Sequence, residues 1–243
     1  MVICYNGSVC KKDRKETTVL QYRSEIKHVI TAADRAAICA NMRAVAQLDS
    51  HVTETGCYKI RSLYFDSPTD SALREKLDGV NEREKFRIRY YNDNLEFIRL
   101  EKKVKRGGLG YKVSAPLTKE EAQRIVDGDL TWMATSGRGL VTELYSKMKS
   151  KGLRPKTIVD YERIPFVYAP GHVRVTIDFN IRTGLRCTDF LTPNCVTIPA
   201  GESPIILEVK WDEYLPNIIR HAVQVKDRRS GAFSKYGACR FYG

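Results

Sequence analysis

Two adjacent segments alternate charged and apolar side chains with a period of two. In Arg83–Tyr91, charged residues occupy every second position, and apolar residues fill most of the positions between them. The same alternation continues through Phe97–Lys105. Successive side chains of a β-strand point to opposite faces, so these segments predict neighbouring strands with one charged face and one apolar face. The charged face is formed by Arg83, Lys85, Arg87, Arg89, Arg99, Glu101, Lys103 and Lys105.

Six further segments have patterns typical of strands. They lie at about Val19–Ile30, Tyr58–Asp66, Tyr111–Ala115, Thr157–Tyr168, His172–Phe179 and Pro204–Asp212. At least five of the predicted strands carry an apolar row on one face and a charged row, mostly lysine and arginine, on the other. An open sheet with one solvent-exposed face would give the same alternation. Ordinary solvent-exposed faces, however, also carry serine, threonine and glutamine.

Glutamates recur within the charged rows at a fixed spacing. In three strands a glutamate precedes a lysine by two positions, as in Glu25/Lys27, Glu101/Lys103 and Glu208/Lys210. If helices cover the apolar rows from outside, the sheet closes into a barrel with a polar interior. A basic interior with a few carboxylates suits a polyphosphate that carries a metal ion. We therefore predict an α+β fold built on an antiparallel barrel with a basic lumen.

Capping signals predict helices between these strands. Thr31 and Asp34 form a capping box before a helix that runs to about Leu48, and Thr118 with Glu121 begins another that ends near Gly128. Ser67-Pro68 predicts a short helix with proline at its first position, ending before Gly79. The remaining predictions are a helix over Leu140–Lys151 and a flexible connector over residues 106–110.

The chain is strongly basic. Its 243 residues include 41 lysines and arginines against 29 aspartates and glutamates, which gives a net charge of +12. Such an excess favours a polyanionic partner: nucleic acid, an anionic membrane or a phosphate compound. Nucleic acid is the poorest match, because the sequence has no zinc knuckle, RNA-recognition signature or helix-turn-helix pattern, and its basic residues lie on strands.

Cysteine usage and hydropathy bear on the location of the protein. The seven cysteines are odd in number and lack metal-ligand spacing, which favours reduced, packed thiols and a cytoplasmic location. No apolar run approaches the length needed to span a membrane, and the first residues do not read as a signal peptide. We expect a flexible leader over residues 1–16 and a single domain over 17–243.

Eight segments, taken together and in order, resemble the VTC domain. This is the polyphosphate polymerase domain of the vacuolar transporter chaperone group and its bacterial relatives, within the triphosphate tunnel metalloenzymes and similar to CYTH phosphatases and cyclases. The resemblance extends over about residues 17–242. Its segments are RSEIKHVI (23–30), SLYFDSPTD (62–70), EKFRIRYY (84–91), RLEKKVK (99–105), DYERIPF (160–166), VRVTIDFNIR (173–182), ILEVKW (206–211) and FSKYGAC (233–239).

The resemblance implies a fold, an activity and a set of residues. The fold is an eight-stranded antiparallel tunnel with helices outside, and the activity is transfer of the ATP γ-phosphate onto inorganic polyphosphate with Mn²⁺ or Mg²⁺. Glu208 matches the metal-binding glutamate of the family. The catalytic cations are Lys27, Arg87, Arg89, Lys103, Arg163 and Lys235, and the hydroxyl groups that contact substrate belong to Tyr161 and Ser234. Further candidates for substrate binding, in phase with the lumen, are Arg61, Arg174 and Lys210.

These residue types suit phosphoryl transfer on chemical grounds as well. The reaction needs positioning and charge stabilisation more than covalent help. Arginine forks onto phosphate oxygens, lysine acts as a point charge, and a glutamate oxygen suits a hard divalent ion. We predict no general base, because the terminal phosphate of the primer would itself be the nucleophile.

Two other functions remain open. A tunnel triphosphatase would hydrolyse tripolyphosphate or a nucleoside triphosphate, and a binding module would hold polyphosphate without turnover. The first strand carries Arg23, Glu25 and Lys27 rather than the repeated glutamates of CYTH triphosphatases, which favours the polymerase. The chain lacks the membrane segment found in eukaryotic assemblies, so translocation of product would require a membrane-protein partner.

Overall fold

Ten strands, six α-helices and two short 3-10 helices (Thr131–Thr135 and Pro170–His172) form the protein in a computed structural model that describes residues 17–107, 109–225 and 230–241. The leader predicted over residues 1–16 lies outside the described residues. The strands are β1 (Thr17–Ile30), β2 (Gln47–Leu48), β3 (Tyr58–Asp66), β4 (Arg83–Tyr91), β5 (Asn94–Arg106), β6 (Leu109–Leu117), β7 (Arg154–Tyr168), β8 (Val173–Thr183), β9 (Ile198–Pro199) and β10 (Ile205–Trp211). The helices are α1 (Ala32–Val45), α2 (Ser71–Leu77), α3 (Lys119–Asp127), α4 (Gly139–Ser150), α5 (Asn217–Ala222) and α6 (Lys235–Phe241).

Eight of the strands close into an antiparallel barrel. Their order is β7-β3-β4-β5-β6-β1-β10-β8, and pairing of β8 with β7 completes the ring. The two-residue strands β2 and β9 add to the margins, on β7 and β8 respectively. Every pairing in the ring is antiparallel. The predicted α+β fold with an eight-stranded antiparallel barrel is therefore confirmed.

The strand register aligns the predicted charged rows. Between β4 and β5, Arg87 lies opposite Glu101 and Lys85 lies opposite Lys103. Directly opposed residues of antiparallel strands point to the same face, so the charged rows form one continuous surface on the inside of the barrel.

Helices cover the apolar rows from outside. The outward Phe86, Ile88 and Tyr90 of β4 are buried in a core cluster that also contains apolar residues of α3 and α4. A second cluster joins α1 and α5 to the outer faces of β8 and β10. The polar interior is thus a consequence of the sequence pattern, because burying the apolar face outside leaves the charged face inside.

Helix α1 is shorter than its sequence pattern predicts. The capping box of Thr31 and Asp34 is present, but the helix ends at Val45 rather than near Leu48. Gln47 and Leu48 instead pair with β7 as strand β2. Backbone pairing with a strand distant in sequence therefore ends the helix early.

Helix α2 starts later than predicted, at Ser71. Residues 67–70 form a turn in which the amide of Asp70 donates to the carbonyl of Ser67, and Asp70 is left-handed at φ 55°. Pro68 therefore lies in the turn and not at the first helical position. The buried carboxylate of Asp66 accepts hydrogen bonds from the amides of Ala72 and Leu73, at 2.8 and 3.2 Å, and caps the helix.

Most of the predicted flexible connector over 106–110 belongs to strands, with Arg106 in β5 and residues 109–110 in β6. Arg106 pairs directly with Leu109, so β5 and β6 continue to the turn, and β6 extends over 109–117 rather than 111–115. Gly107 has φ 54°, a left-handed conformation that glycine adopts without strain. Glycine thus serves here to fix a turn.

Part of the barrel interior is apolar. Ile60 of β3 and Val159 of β7 are buried in a cluster that includes Tyr236 and Cys239 of α6. The carbonyl of Cys239 also accepts a hydrogen bond from the Thr183 hydroxyl, at 3.1 Å. These contacts anchor α6, whose first residue is Lys235, against the inner side of the wall.

Candidate functional site

The barrel encloses one large, strongly basic cavity. Its volume is about 720 Å³, and its walls come from the eight barrel strands, from α2 and from residues 230–236. Among the described residues, fourteen lysine and arginine side chains line it, against two glutamates, Glu25 and Glu208. Such an excess of one charge in an enclosed space attracts a polyanion.

Nearly all of the predicted site residues meet in this cavity. The residues that line it are Lys27, Arg87, Arg89, Lys103, Tyr161, Arg163, Arg174, Glu208, Lys210, Ser234 and Lys235. The lumen placement that the strand pattern predicts is therefore correct for the strand residues of this set. Ser234 and Lys235, which the family resemblance suggested, lie at the start of α6. Their roles in binding and catalysis stay predictions.

Arg61 is the exception, and its predicted lumen placement is wrong. The lumen phase of β3 is carried by Ser62 and Tyr64, so Arg61 points to the outer face. There it pairs with Asp160, at 2.9 Å from Nε and 2.8 Å from Nη2, and donates to the carbonyl of Thr192 at 2.8 Å. Both members of the ion pair are buried, so Arg61 is a structural residue of the outer wall.

Arg87 and Arg89 are held rigidly by neighbours on adjacent strands. The guanidinium of Arg87 pairs with Glu101 at 2.6 and 2.8 Å and donates to the hydroxyl of Tyr64 at 2.9 Å. Arg89 donates to Ser62 at 3.0 Å and to the hydroxyl of Tyr161 at 2.9 Å. Each guanidinium keeps N–H groups beyond those used in these bonds, so both can receive an anion without reorganising.

The carboxylate of Glu101 balances the positive charges of Arg87 and Arg89. Burial opposes its ionisation, but Arg87, Arg89 and Lys112 hold the pKa of Glu101 well below its usual range. Its other oxygen lies 2.8 Å from Nζ of Lys112. Glu101 is therefore a permanent anion that fixes the cations.

Arg163 and Lys235 share the fully buried carboxylate of Asp178. Arg163 makes a two-pronged contact at 2.6 and 2.8 Å, and Nζ of Lys235 lies at 2.5 Å. Burial raises the pKa of Asp178, but these two cations outweigh it and bring the value to about 2. The pair joins β7 to the start of α6, which are far apart in sequence.

Glu25 and Glu208 form an acidic pair surrounded by lysines. Nζ of Lys27 lies 3.1 Å from Glu25 and 3.4 Å from Glu208, and Nζ of Lys210 lies 3.0 Å from Glu208. Burial opposes ionisation of Glu208, yet Lys210 and Lys27 hold its pKa well below the usual range. Burial also opposes the charge of Lys27, but Glu208 and Glu25 raise its pKa.

Burial lowers the pKa of four lysines that line the cavity, Lys76, Lys85, Lys103 and Lys210. Burial, with the neighbouring charges of Lys27 and Lys210, lowers the pKa of Lys103 to about 7. Burial, with Lys76 and Arg83, lowers the pKa of Lys85 to about 8. Neighbouring cations contribute to both shifts, so an incoming anion would favour the charged form of each lysine.

Sequence reasoning missed Tyr64 and Asp178 as site residues. Tyr64 is buried, stacks on Tyr236 at a ring distance of 5.0 Å and accepts a hydrogen bond from Arg87. Burial raises its pKa, but Arg87 and Arg89 outweigh this and lower it. Tyrosine occurs on both apolar and polar faces of strands, so the alternation pattern does not identify Tyr64 as a site residue. Asp178 was in phase with the lumen, but its partners lie on β7 and α6, which a local pattern does not reveal.

The closed antiparallel barrel and its basic cavity define a tunnel-type barrel protein. The family model of the VTC domain matches residues 22–241. The chain therefore belongs to the VTC domain family, and the resemblance drawn from its eight segments is confirmed. No curated protein matches the chain.

Several solved structures are similar to this chain at low sequence identity. A candidate adenylate cyclase from Bacillus halodurans is 14% identical with a TM-score of 0.48, covering 83% of this chain and 84% of that one. A candidate adenylyl cyclase from Hippeastrum with a dominant triphosphatase activity is 12% identical with a TM-score of 0.44, covering 79% and 80%. Both TM-scores lie below 0.5, so these similarities carry no conclusion about function.

Within the described residues, none of the helices has the length and apolar character needed to cross a bilayer.

Proposed function

We propose that this protein is a polyphosphate polymerase that transfers the γ-phosphate of ATP onto the end of an inorganic polyphosphate chain. The observation that carries the proposal is the basic cavity, in which three pre-oriented arginines, Arg87, Arg89 and Arg163, share one enclosed space with a ring of lysines. Membership in the VTC domain family supports it. The anion that fits this wall is a linear chain of phosphates, because it presents negative charge along its whole length.

The arginines would bind the phosphates around the transferred group. Each is held by a partner on a neighbouring strand, Arg87 by Glu101, Arg89 by Ser62 and Arg163 by Asp178, so little order has to be gained at the moment of reaction. Fixed donors in a site with little water stabilise charge in the transition state strongly. Lys27, Lys103, Lys210 and Lys235 would supply the remaining point charges, and Tyr161, Ser234 and Arg174 would contact the substrate.

The reaction requires no general base under this proposal. A terminal phosphate oxygen of the primer attacks the γ-phosphorus of ATP, the bond to the β-phosphate oxygen breaks, and ADP leaves. The cavity carboxylates are poor bases, since lysines and arginines lower the pKa of Glu25 and Glu208. Activation of water for hydrolysis would need a better base, which favours the polymerase over a triphosphatase.

Glu208, with Glu25 beside it, would hold the divalent ion. The described residues contain no group of three or more acidic, histidine or cysteine ligands. Mg²⁺ and Mn²⁺ are commonly bound by one or two carboxylates with phosphate oxygens completing the sphere, so this acidic pair fits such an ion only together with substrate. When bound, the ion would neutralise charge on the β- and γ-phosphates.

The substrate and the cysteines suggest where the protein works. ATP as phosphate donor and largely unpaired cysteines lead us to propose a cytoplasmic location. If the polymer leaves this compartment, a membrane-protein partner would have to carry it.

Incubation with ATP and Mn²⁺ or Mg²⁺ tests the proposal. We expect ADP and polyphosphate in equal phosphate equivalents, detected by gel staining and by nucleotide chromatography. Free phosphate without polymer would indicate a triphosphatase, and tight polyphosphate binding without turnover would indicate a binding module. Lys103→Ala should reduce activity strongly, whereas Lys102→Ala is the matched control, because Lys102 faces outward and pairs with Glu143.

A further inference from the structure

Two cysteine thiols face each other on the outside of the barrel. Sγ of Cys187 lies 3.0 Å from Sγ of Cys195, and both side chains are partly exposed. Cys195 also borders a second cavity, of about 410 Å³, on the outer side of β3 and β7. A disulfide bond is about 2.05 Å long, so closing the remaining gap needs only a small movement of the side chains.

Residues 187–195 form a buttress on the outer wall. The ring of Phe190 is fully buried, 4.8 Å from that of Tyr90, and the Tyr90 hydroxyl donates to the carbonyl of Phe190 at 3.0 Å. The guanidinium of Arg61 donates to the carbonyl of Thr192 at 2.8 Å. The segment between the two cysteines is thus attached to β3 and β4 at three points.

The same two strands hold Arg89 on the inside of the barrel. Ser62, which follows Arg61, accepts a hydrogen bond from Nε of Arg89 at 3.0 Å, and Arg89 directly precedes Tyr90. Side chains alternate across a strand, so the buttress contacts the outer side of the wall whose inner side carries this cavity arginine.

We propose that Cys187 and Cys195 form a redox-active dithiol site that a small disulfide, such as glutathione disulfide, oxidises to an intramolecular disulfide bond. One protein thiolate attacks glutathione disulfide, forming a mixed disulfide and releasing one glutathione. The second protein thiolate attacks the protein sulfur of this mixed disulfide and releases the other. The two protein thiols lose two electrons and two protons, and glutathione disulfide is reduced to two glutathione molecules.

The other described cysteines offer no such pair. Cys39 and Cys239 are buried, and Cys57 contacts Thr55 and Glu162 rather than a thiol. Burial and the adjacent Cys187 raise the pKa of Cys195 to about 12. Because the thiolate is the attacking species, oxidation of the pair should accelerate as the pH rises.

Redox titration with mass spectrometry tests the site. The reduced protein is equilibrated in mixtures of reduced and oxidised glutathione, trapped with N-ethylmaleimide and digested without reduction. We expect a peptide linked between Cys187 and Cys195, and a melting temperature higher by roughly 5 to 10 °C in the oxidised protein, because the bond constrains the unfolded chain.

Matched variants separate this site from general thiol oxidation. Cys187→Ser and Cys195→Ser should each abolish the linked peptide and the shift in melting temperature, and Cys57→Ser should preserve both. Glutathione adducts without the linked peptide, or a disulfide between two chains, would each overturn the proposal. None of these outcomes depends on polymerase activity, so the two proposals fail independently.

Discussion

Lys27 and Glu208 face each other across the pairing of β1 with β10, with Nζ of Lys27 3.4 Å from the nearer carboxylate oxygen. The same ammonium contacts Glu25 at 3.1 Å, so one lysine bridges both acidic residues of the cavity. This bridge keeps two carboxylates close together and ionised in an otherwise cationic space. Under the proposed function, this acidic pair would hold the metal ion beside the bound polyphosphate.

Glu208→Gln is expected to alter the metal dependence. The amide keeps the shape of the side chain but removes the charge that would bind the ion, so the Mn²⁺ concentration needed for half-maximal activity should rise at least tenfold. A titration of activity against Mn²⁺ measures this. Glu143→Gln, which removes an outer-face partner of Lys102, is the control and should leave the titration unchanged. An unaltered curve for Glu208→Gln would exclude this residue as the ligand.

Arg89→Met is expected to weaken binding of tripolyphosphate by roughly 10- to 100-fold, since a hydrogen bond to a charged group contributes about 1.5–3 kcal/mol. The closest partners of Arg89 are the neutral hydroxyls of Ser62 and Tyr161. Glu101, 3.8 Å from Arg89, keeps its shorter bonds to Arg87 and Lys112 in this variant. Isothermal titration calorimetry measures the change. The control variant Arg124→Met, at an exposed position, should bind tripolyphosphate with unchanged affinity.

Tyr64→Phe separates the hydroxyl from the ring. The ring can still stack on Tyr236, but the bond to Arg87 is lost. We expect a roughly fivefold loss in kcat/KM, matching about 1 kcal/mol for one hydrogen bond, with little change in melting temperature. Unchanged kinetics would show that Arg87 is positioned by Glu101 alone.

The affinity for polyphosphate should fall as the pH rises from 7 to 9. The pKa of Lys85 is about 8, so its charge is lost over this interval unless a bound anion retains the proton. Calorimetry in buffers of different ionisation enthalpy should detect proton uptake on binding near pH 8. Lys85→Arg should reduce both effects, because arginine stays charged; equal proton uptake in this variant would show that other groups titrate.

The titration of Lys85 should change fold stability in the opposite direction to polyphosphate affinity, so that stability increases as the pH rises. Its pKa in the folded protein lies below the ordinary lysine value of about 10.4, so the unfolded chain binds more protons between about pH 8 and pH 10.4. The contribution of this residue to the free energy of unfolding should therefore increase with pH across that window. Urea unfolding at pH 7.5 and 9.5 gives the change in the free energy of unfolding between the two pH values. This change should be smaller in Lys85→Met than in the wild type.

Asp66→Ala should destabilise the fold by about 2–4 kcal/mol. It removes the cap of α2 and leaves the buried hydroxyl of Tyr236, 2.7 Å from the carboxylate, without its acceptor. Tyr236→Phe should lower the free energy of unfolding by only about 1 kcal/mol, because it removes one of the several hydrogen bonds that Asp66 accepts. Urea denaturation compares the two, and equal losses would contradict the capping role.

Much of the fold was accessible from sequence because alternation is a local property. The boundaries of β3 and β4 follow directly from their patterns, and the capping box at Thr31 marks the start of α1. The start of α2 was not accessible, since its cap comes from Asp66, whose carboxylate reaches forward past Pro68. The exact end of α1 depended on pairing with a strand more than a hundred residues away.

The sequence by itself determined which side chains share a face. A period of two fixed the inward row of β4, including Arg87 and Arg89, because each strand has only two faces. Only the tertiary structure decided which partners these cations have. Strand register and closure of the barrel placed Asp178 between Arg163 and Lys235, and sent Arg61 outward to Asp160. Those partners lie far apart in the chain, so their distances, and the pKa values that depend on them, follow from the folded barrel and not from local pattern.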